Sequence, residues 1–273
     1  MNTYAVTGDP QRVPAPMLAD WVLSRGYTAL TTTEAAKLLE VPASQVRVRL
    51  HEPVKRGEWV AISKGLWVPV PPPYRSWGAP PALDFLDALM QHLGRIYYVG
   101  WLSAAAIHGA AHHAPQVTQV AVSIPVRNRA AGRNRIEFYT RTTVGRIPVV
   151  HHRSATGDVP ISSPEATCLD LLANPRVAGG IDNAATVVVG LAEEGALAVD
   201  RIGALADRFP TSALRRVGYI LENHTRMSSL DQIRRLALGG ASDRSLLEPD
   251  GARRGRIDQG WNLQINLSLE VES

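Results

Sequence analysis

Residues 31–50 read TTTEAAKLLEVPASQVRVRL, and residues 56–69 read RGEWVAISKGLWVP. Pro42 cannot lie inside a helix without losing a backbone hydrogen bond, so the first stretch splits into two short helical patterns. Thr31 with Glu34 is a capping-box combination, and Ala35, Leu38 and Leu39 make the first apolar stripe. In the second pattern Val46, Leu50 and Val54 recur every four residues and are expected to face inward. Pro53 is expected to kink or end that helix within about a turn. EWVAI and LWVPV are short β-prone runs around Ser63-Lys64-Gly65, a hairpin signal. Upstream, PMLADWVLSRGY places Leu18, Trp21, Val22 and Arg25 at helical spacing, with Gly26 as a stop.

The order helix, helix, turn, helix, two-stranded wing is that of a winged helix-turn-helix, whose third helix enters the DNA major groove. The face opposite Val46 and Leu50 carries Ser44, Gln45, Arg47, Val48, His51 and Lys55. Arg47 suits guanine, Gln45 suits adenine, and Val48 suits a thymine methyl; Ser44 and His51 complete the base-contact candidates. Arg49, Lys55, Arg56 and Lys64 are the candidates for phosphate. The same unit also serves as a protein-interaction module, so both readings stand at this point. Glu40 occupies the turn position where glycine is common, and a positive φ there would carry a strain cost.

Two basic islands mark the chain. Residues 44–75 hold six Lys and Arg against Glu52 and Glu58, and residues 125–153 hold seven arginines against Glu137. The net charge of the 273 residues is only +4, so the rest of the chain is acidic and the islands stand out as polyanion-binding candidates. In the second island Arg127, Arg129, Arg133 and Arg135 crowd the loop VRNRAAGRNR, expected at a hairpin tip. An auxiliary DNA-backbone contact, an RNA contact, docking to an acidic protein and a merely solvated loop all fit it.

The stretch VPVPPPYRSWGAPPA, residues 68–82, reads as a stiff connector, giving a DNA-binding domain at 1–75 and a larger domain at 83–273. The larger part mixes helical and strand patterns. LDFLDALMQHLGR is amphipathic, with Leu83, Leu86, Leu89 and Met90 inward. VTQVAVSIP, IEFYTRTTV and IPVVHHRSA are strand-like, and SPEATCLDLLANP has Ser163 as a cap and Pro164 at the first helical position. Three further helical patterns span residues 181–223, and WNLQINLSLEVE closes with period-two alternation. The fold class is mixed α/β.

Catalytic and metal chemistry find little footing. There is no G-x-x-x-x-G-K-[ST] loop and no G-x-S-x-G elbow. His108 and His112 are four apart, but Gly109 stands where a zinc protease has glutamate, so no metal site and no cofactor are expected. Cys168, the single cysteine, reads as a buried thiol in a reducing compartment. Glu165 and Asp170, five apart, do not make an acid–base pair, and no catalytic residues are expected. No apolar run reaches the roughly 20 residues of a membrane span, and the first residues lack a signal-peptide layout, so a cytoplasmic protein without membrane association is expected.

On YYVGWLSAAAIHG (97–109), ISSPEATCLDLL (161–172), LRRVGYILEN (214–223) and WNLQINLSLE (261–270), taken in order after the winged segment, the chain resembles the AbiEi family of antitoxins and transcriptional regulators. The resemblance spans about residues 15–272, with Glu40 and Pro53 departing from the usual pattern. It implies a winged helix that binds inverted repeats in its own promoter as double-stranded DNA, and a C-terminal antitoxin domain. It also implies autorepression of a type IV toxin–antitoxin operon and a nucleotidyltransferase-like toxin as functional partner, in many cases without a stable complex. The alternatives are an interaction module whose winged helix binds the toxin, and a nucleic-acid-processing enzyme.

Overall fold

The structure, a computed structural model, describes residues 12–111, 115–239 and 243–271. The described chain divides into two compact units, between which it passes several times. Residues up to Tyr97, with 116–142 and 151–159, form the first; residues 98–115, 143–150 and those from 160 onward form the second.

The first unit begins with α1 (Leu18–Ser24), β1 (Leu30–Thr31) and α2 (Thr32–Leu39). The capping box is formed: Glu34 N–H donates to Thr31 Oγ1 at 3.2 Å, and Thr31 N–H donates to Glu34 Oε2 at 2.7 Å. Then come α3 (Ala43–Arg49), α4 (His51–Lys55), β2 (Trp59–Ser63) and β3 (Leu66–Pro69). The wing is an antiparallel sheet in the order β1-β3-β2, with Leu30 opposite Trp67 and Val60 opposite Val68. Leu18, Val22, Leu30, Leu38, Val46, Leu50 and Trp59 pack into one core beneath these elements.

One inward position differs from expectation. Val54 is 38% exposed and Pro53 is buried in its place. Pro53 has no N–H to donate to the carbonyl of Arg49, so the ladder is interrupted at Leu50 (φ −88°, ψ 0°); Pro53, seven residues after Val46, continues the buried stripe and Val54 falls at its edge.

The Pro-rich stretch is folded within the first unit rather than spanning open solvent. Residues Pro72–Trp77 form a 3-10 turn, and Val70 and Ala79 are fully buried. Next is α5 (Ala82–His92), which buries Phe85, Leu86, Leu89 and Met90, while Leu83 is only partly covered. After β4 (Tyr97–Val99) and α6 (Trp101–Ile107) the chain forms β5 (Thr118–Val122), β6 (Arg129–Ala131) and β7 (Asn134–Thr140). The two longer strands do not make the expected hairpin. β5 and β7 run parallel, Thr118 beside Ile136 through Val122 beside Thr140, and β6 is the short antiparallel strand outside β7. Parallel neighbours need a crossover, and the intervening loop with β6 supplies it.

β8 (Val149–Arg153) and β9 (Asp158–Ser162) are joined by a turn that Ser154 N–H closes onto Gly157 O at 2.8 Å. In the second unit β9 runs parallel to β4 through Ile161 and Val99. Ser163 caps α7 (Pro164–Ala173), accepting from Ala166 N–H, and eight of its ten residues are buried. Around it lie α8 (Ile181–Glu193), α9 (Val199–Gly203), α10 (Thr211–His224) and α11 (Asp231–Leu238), the last with no counterpart in the sequence reading. The closing segment holds β10 (Ser245–Leu246), β11 (Arg256–Asp258) and β12 (Leu263–Ile265). The long alternating strand expected there is thus only three residues.

Two buried arginines of α10 hold this segment. Arg215 donates to Ala237 O, Asp243 O and Ser245 Oγ; Arg216 donates to Leu246 O and Leu247 O, each at 3.0 Å, and to Leu172 O at 2.7 Å. Burial pulls the Arg216 guanidinium down to about 10, against the attraction of Glu248. Trp261 lies across Gly218 with its ring fully buried, and donates from Nε1 to Glu222 Oε2 at 2.6 Å. Arg234 donates to the other Glu222 oxygen and stands 4.8 Å above the Trp261 ring.

A Cβ at Gly218 would meet Trp261 Cζ3 at 2.0 Å, and the indole is wedged by its polar partners. Gly218→Ala is therefore expected to cost about 1–3 kcal/mol, read from the urea midpoint. Burial pushes the Glu222 carboxyl up, but the bonds from Trp261 and Arg234 and the Arg234 charge outweigh it and hold the group below the usual carboxylate range. Such a depressed group adds stability that is present above its unfolded pKa, about 4.3, and lost as pH falls through the folded value. Glu222→Gln should lower Tm at neutral pH, and the gap to wild type should close as thermal melts are taken below about pH 4.

Candidate nucleic-acid interface

The recognition-helix candidates are presented outward by α3 and α4. Ser44, Gln45, Arg47, Val48, Arg49 and His51 are exposed, while Val46 and Leu50 anchor the helix at full burial. Val48 is 74% exposed. Between these helices and the wing runs a groove lined by Thr32, Ala43, Arg47, His51, Val54, Ala61, Ile62, Ser63, Lys64, Gly65 and Trp67. Arg47 and His51 thus share one groove with Lys64 at the wing tip. Ala43 and Val54 also line it and were not singled out from sequence; the signal for Val54 is the break that Pro53 imposes.

The cations divide into paired and unpaired. Arg56 donates from Nε and Nη2 to both Glu58 oxygens, at 2.8 and 3.0 Å. This pair raises the Arg56 guanidinium further and lowers the Glu58 carboxyl, burial of the latter opposing. Lys55 lies 3.5 Å from Glu52, and His51 3.9 Å from the same oxygen. Among the described residues Arg47, Arg49 and Lys64 form no ion pair, which leaves them as the groups whose charge is open to a ligand.

The arginine loop is a built turn. β6 and β7 pair Ala130 with Arg135 and Ala131 with Asn134 around Gly132-Arg133. Gly132 has φ +55°, and a Cβ there would meet Trp77 O at 2.1 Å, so only glycine fits. Arg133 N–H donates to Trp77 O at 2.9 Å, and the Asn134 amide donates to Pro80 O at 2.8 Å.

The other candidates are structural. His108 donates from Nε2 to Ser162 O at 2.8 Å; His112 and His113 lie outside the described residues, and no group of His, Cys, Asp or Glu among the described ones is arranged to hold a metal ion. Cys168 is buried, and burial followed by the Glu165 charge pushes its thiol up. Asp170 accepts Tyr98 Oη at 3.0 and 3.2 Å, while Glu165 is buried 3.9 Å from Arg201. No described helix is long and apolar enough to cross a membrane.

Residues 98–223, covering α6 to α10, match the family described as the AbiEi antitoxin C-terminal domain. This stretch thus carries the likeness to AbiEi antitoxins. The match supports an antitoxin role in a toxin–antitoxin system and implies a toxin as partner. No curated protein matches the chain. Among solved structures it is similar in fold to the RV2827C protein from Mycobacterium tuberculosis, with a TM-score of 0.65 at 16% identity over 95% of this chain and 94% of that one.

Glu40 closes α2 in the left-handed region, at φ 51° and ψ 50°. A residue with a Cβ is strained there by roughly 1–2 kcal/mol, which glycine avoids. Glu40→Gly is expected to stabilise the protein by about 1 kcal/mol, measured by chemical denaturation, with the exposed side chains of α3 left in place.

Proposed function

We propose that the protein is a DNA-binding antitoxin that represses its own promoter in a type IV toxin–antitoxin operon. Its functional partner is a nucleotidyltransferase-like toxin in the cytoplasm. In this reading the first 75 or so residues read double-stranded DNA at inverted repeats, and the AbiEi domain counters the toxin. The observation that carries DNA binding is Arg47: an unpaired guanidinium on the outer face of α3, sharing a groove with the wing-tip Lys64. Bidentate pairing with guanine O6 and N7 needs such a group at a helix surface. Gln45 and Val48 flank it as further base contacts, and Arg49 and Lys64 serve phosphates. Arg56, held by Glu58, contributes less than its position on the sequence suggests.

The test is binding to a duplex from the region upstream of the gene. Arg47→Ala is expected to cost about 1–3 kcal/mol on that duplex and to relax preference at one base pair, with little change on scrambled DNA. If the variant treats both duplexes as wild type does, α3 is not the reader. Co-expression with the product of the neighbouring gene tests the antitoxin half by rescue of growth.

A further inference from the structure

We propose that the β6–β7 turn is a second phosphate grip on the duplex that α3 reads. This rests on the DNA-reading assignment of α3 and extends it to a surface some 80 residues further along the chain. Four guanidinium groups gather there, and among the described residues none is paired with a carboxylate. They are held from behind by main-chain carbonyls and an aromatic face. Arg129 Nη1 donates to Arg127 O at 2.8 Å; Arg135 Nη1 donates to Gly132 O and Asn134 O at 3.2 and 3.1 Å; Arg133 stands 5.7 Å from the Trp77 ring. The remaining N–H groups point charge and donors outward, the combination that binds phosphate oxygens.

The turn is also fixed in place relative to the winged helix, since both lie in the first unit. Gly132 closes on the backbone of Trp77, and Arg75 in the same 3-10 turn packs on Gly57, just past α4, at 3.7 Å from the position of a Cβ there. β6 packs on wing strand β2 as well. The arginine turn is thereby joined to the winged helix both through the residue just past α4 and through the wing. Duplex DNA carries a phosphate on each strand about every 3.4 Å of its axis, so a duplex on α3 and the wing offers a run of phosphates to a basic turn packed beside that wing. A protein partner fits less well. Residues 127–135 contain only Arg, Asn, Ala and Gly and offer no large apolar anchor.

The experiment measures affinity of the full-length protein for the upstream duplex and for a scrambled duplex of equal length, across a salt series. Wild type is compared with R127A/R129A/R133A/R135A, with the same four positions changed to Lys, and with R47A. Each phosphate contact contributes about 0.9 to the slope of log affinity against log salt. The alanine variant is expected to shallow the slope by roughly 2–4 on both duplexes, with the preference between them unchanged. The lysine variant should retain most of the slope because the charges remain. An unchanged slope in the alanine variant, with R47A still losing preference, overturns the second grip and leaves the α3 assignment standing. Loss of toxin neutralisation with an unchanged slope also overturns it and assigns the turn to protein docking. A wild type that binds neither duplex removes the α3 reading and this inference together. Circular dichroism of the alanine variant must match wild type; if it does not, the lysine variant against R47A decides by the same slopes.

Discussion

The missing N–H of Pro53 determines what the winged unit shows to a ligand. Without a donor to Arg49 O the hydrogen-bond ladder lapses at Leu50, and α4 begins after it with its buried stripe continued by Pro53. Pro53 then turns into the core and Val54 turns out, into the groove between helix and wing. Arg47 and His51 stay on the outer side because Val46 and Leu50 anchor the preceding turns at full burial. The proline therefore limits α3 to about two turns, with the aliphatic Val54 lining the groove beyond it. The donors of this groove come from Arg47 on α3, His51 at the start of α4 and Lys64 at the wing tip.

A second constraint works at longer range. Gly132 and Trp77 approach so closely that neither a side chain at 132 nor a shifted 3-10 turn could be accommodated. That contact converts a Pro-rich stretch into a platform for the arginine turn. It also explains why the prolines are where they are: Pro72 and Pro73 start the turn with φ already set, and Gly78 leaves it at φ +79°. Charge and packing thus have separate sources here. The arginines are not needed by the core, whereas the glycine beneath them is required for the close approach of the turn to Trp77.

Local features were legible in the sequence; non-local ones were not. The capping box at Thr31 and Glu34, the stop at Gly26, the wing turn at Lys64-Gly65 and the Ser163-Pro164 helix start all stand where local patterns place them. Each is decided by residues within four positions of one another. The parallel pairing of β5 with β7 is a partner choice across an intervening strand, and alternation in either strand is silent about it. β9 was missed because Pro160 interrupts its pattern, and α11 because its apolar content, Ile233 and Ala237 buried, is thin. Of the candidate interface, the exposed set on α3 followed from periodicity. The neutralisation of Arg56 did not, since Glu58 faces it only because the chain turns between α4 and β2.

The family motifs carry architecture rather than a toxin-facing surface. LRRVGYILEN supplies Arg215 and Arg216, which tie down the backbone after α11, and Gly218, which admits the ring of Trp261 from the closing motif. ISSPEATCLDLL supplies α7, buried almost throughout, and its Asp170 takes the hydroxyl of Tyr98 from YYVGWLSAAAIHG. Side chains used in this way inside the fold are closed to a partner. These motifs thus identify a scaffold, and the chemistry specific to a partner must lie in the exposed residues between them.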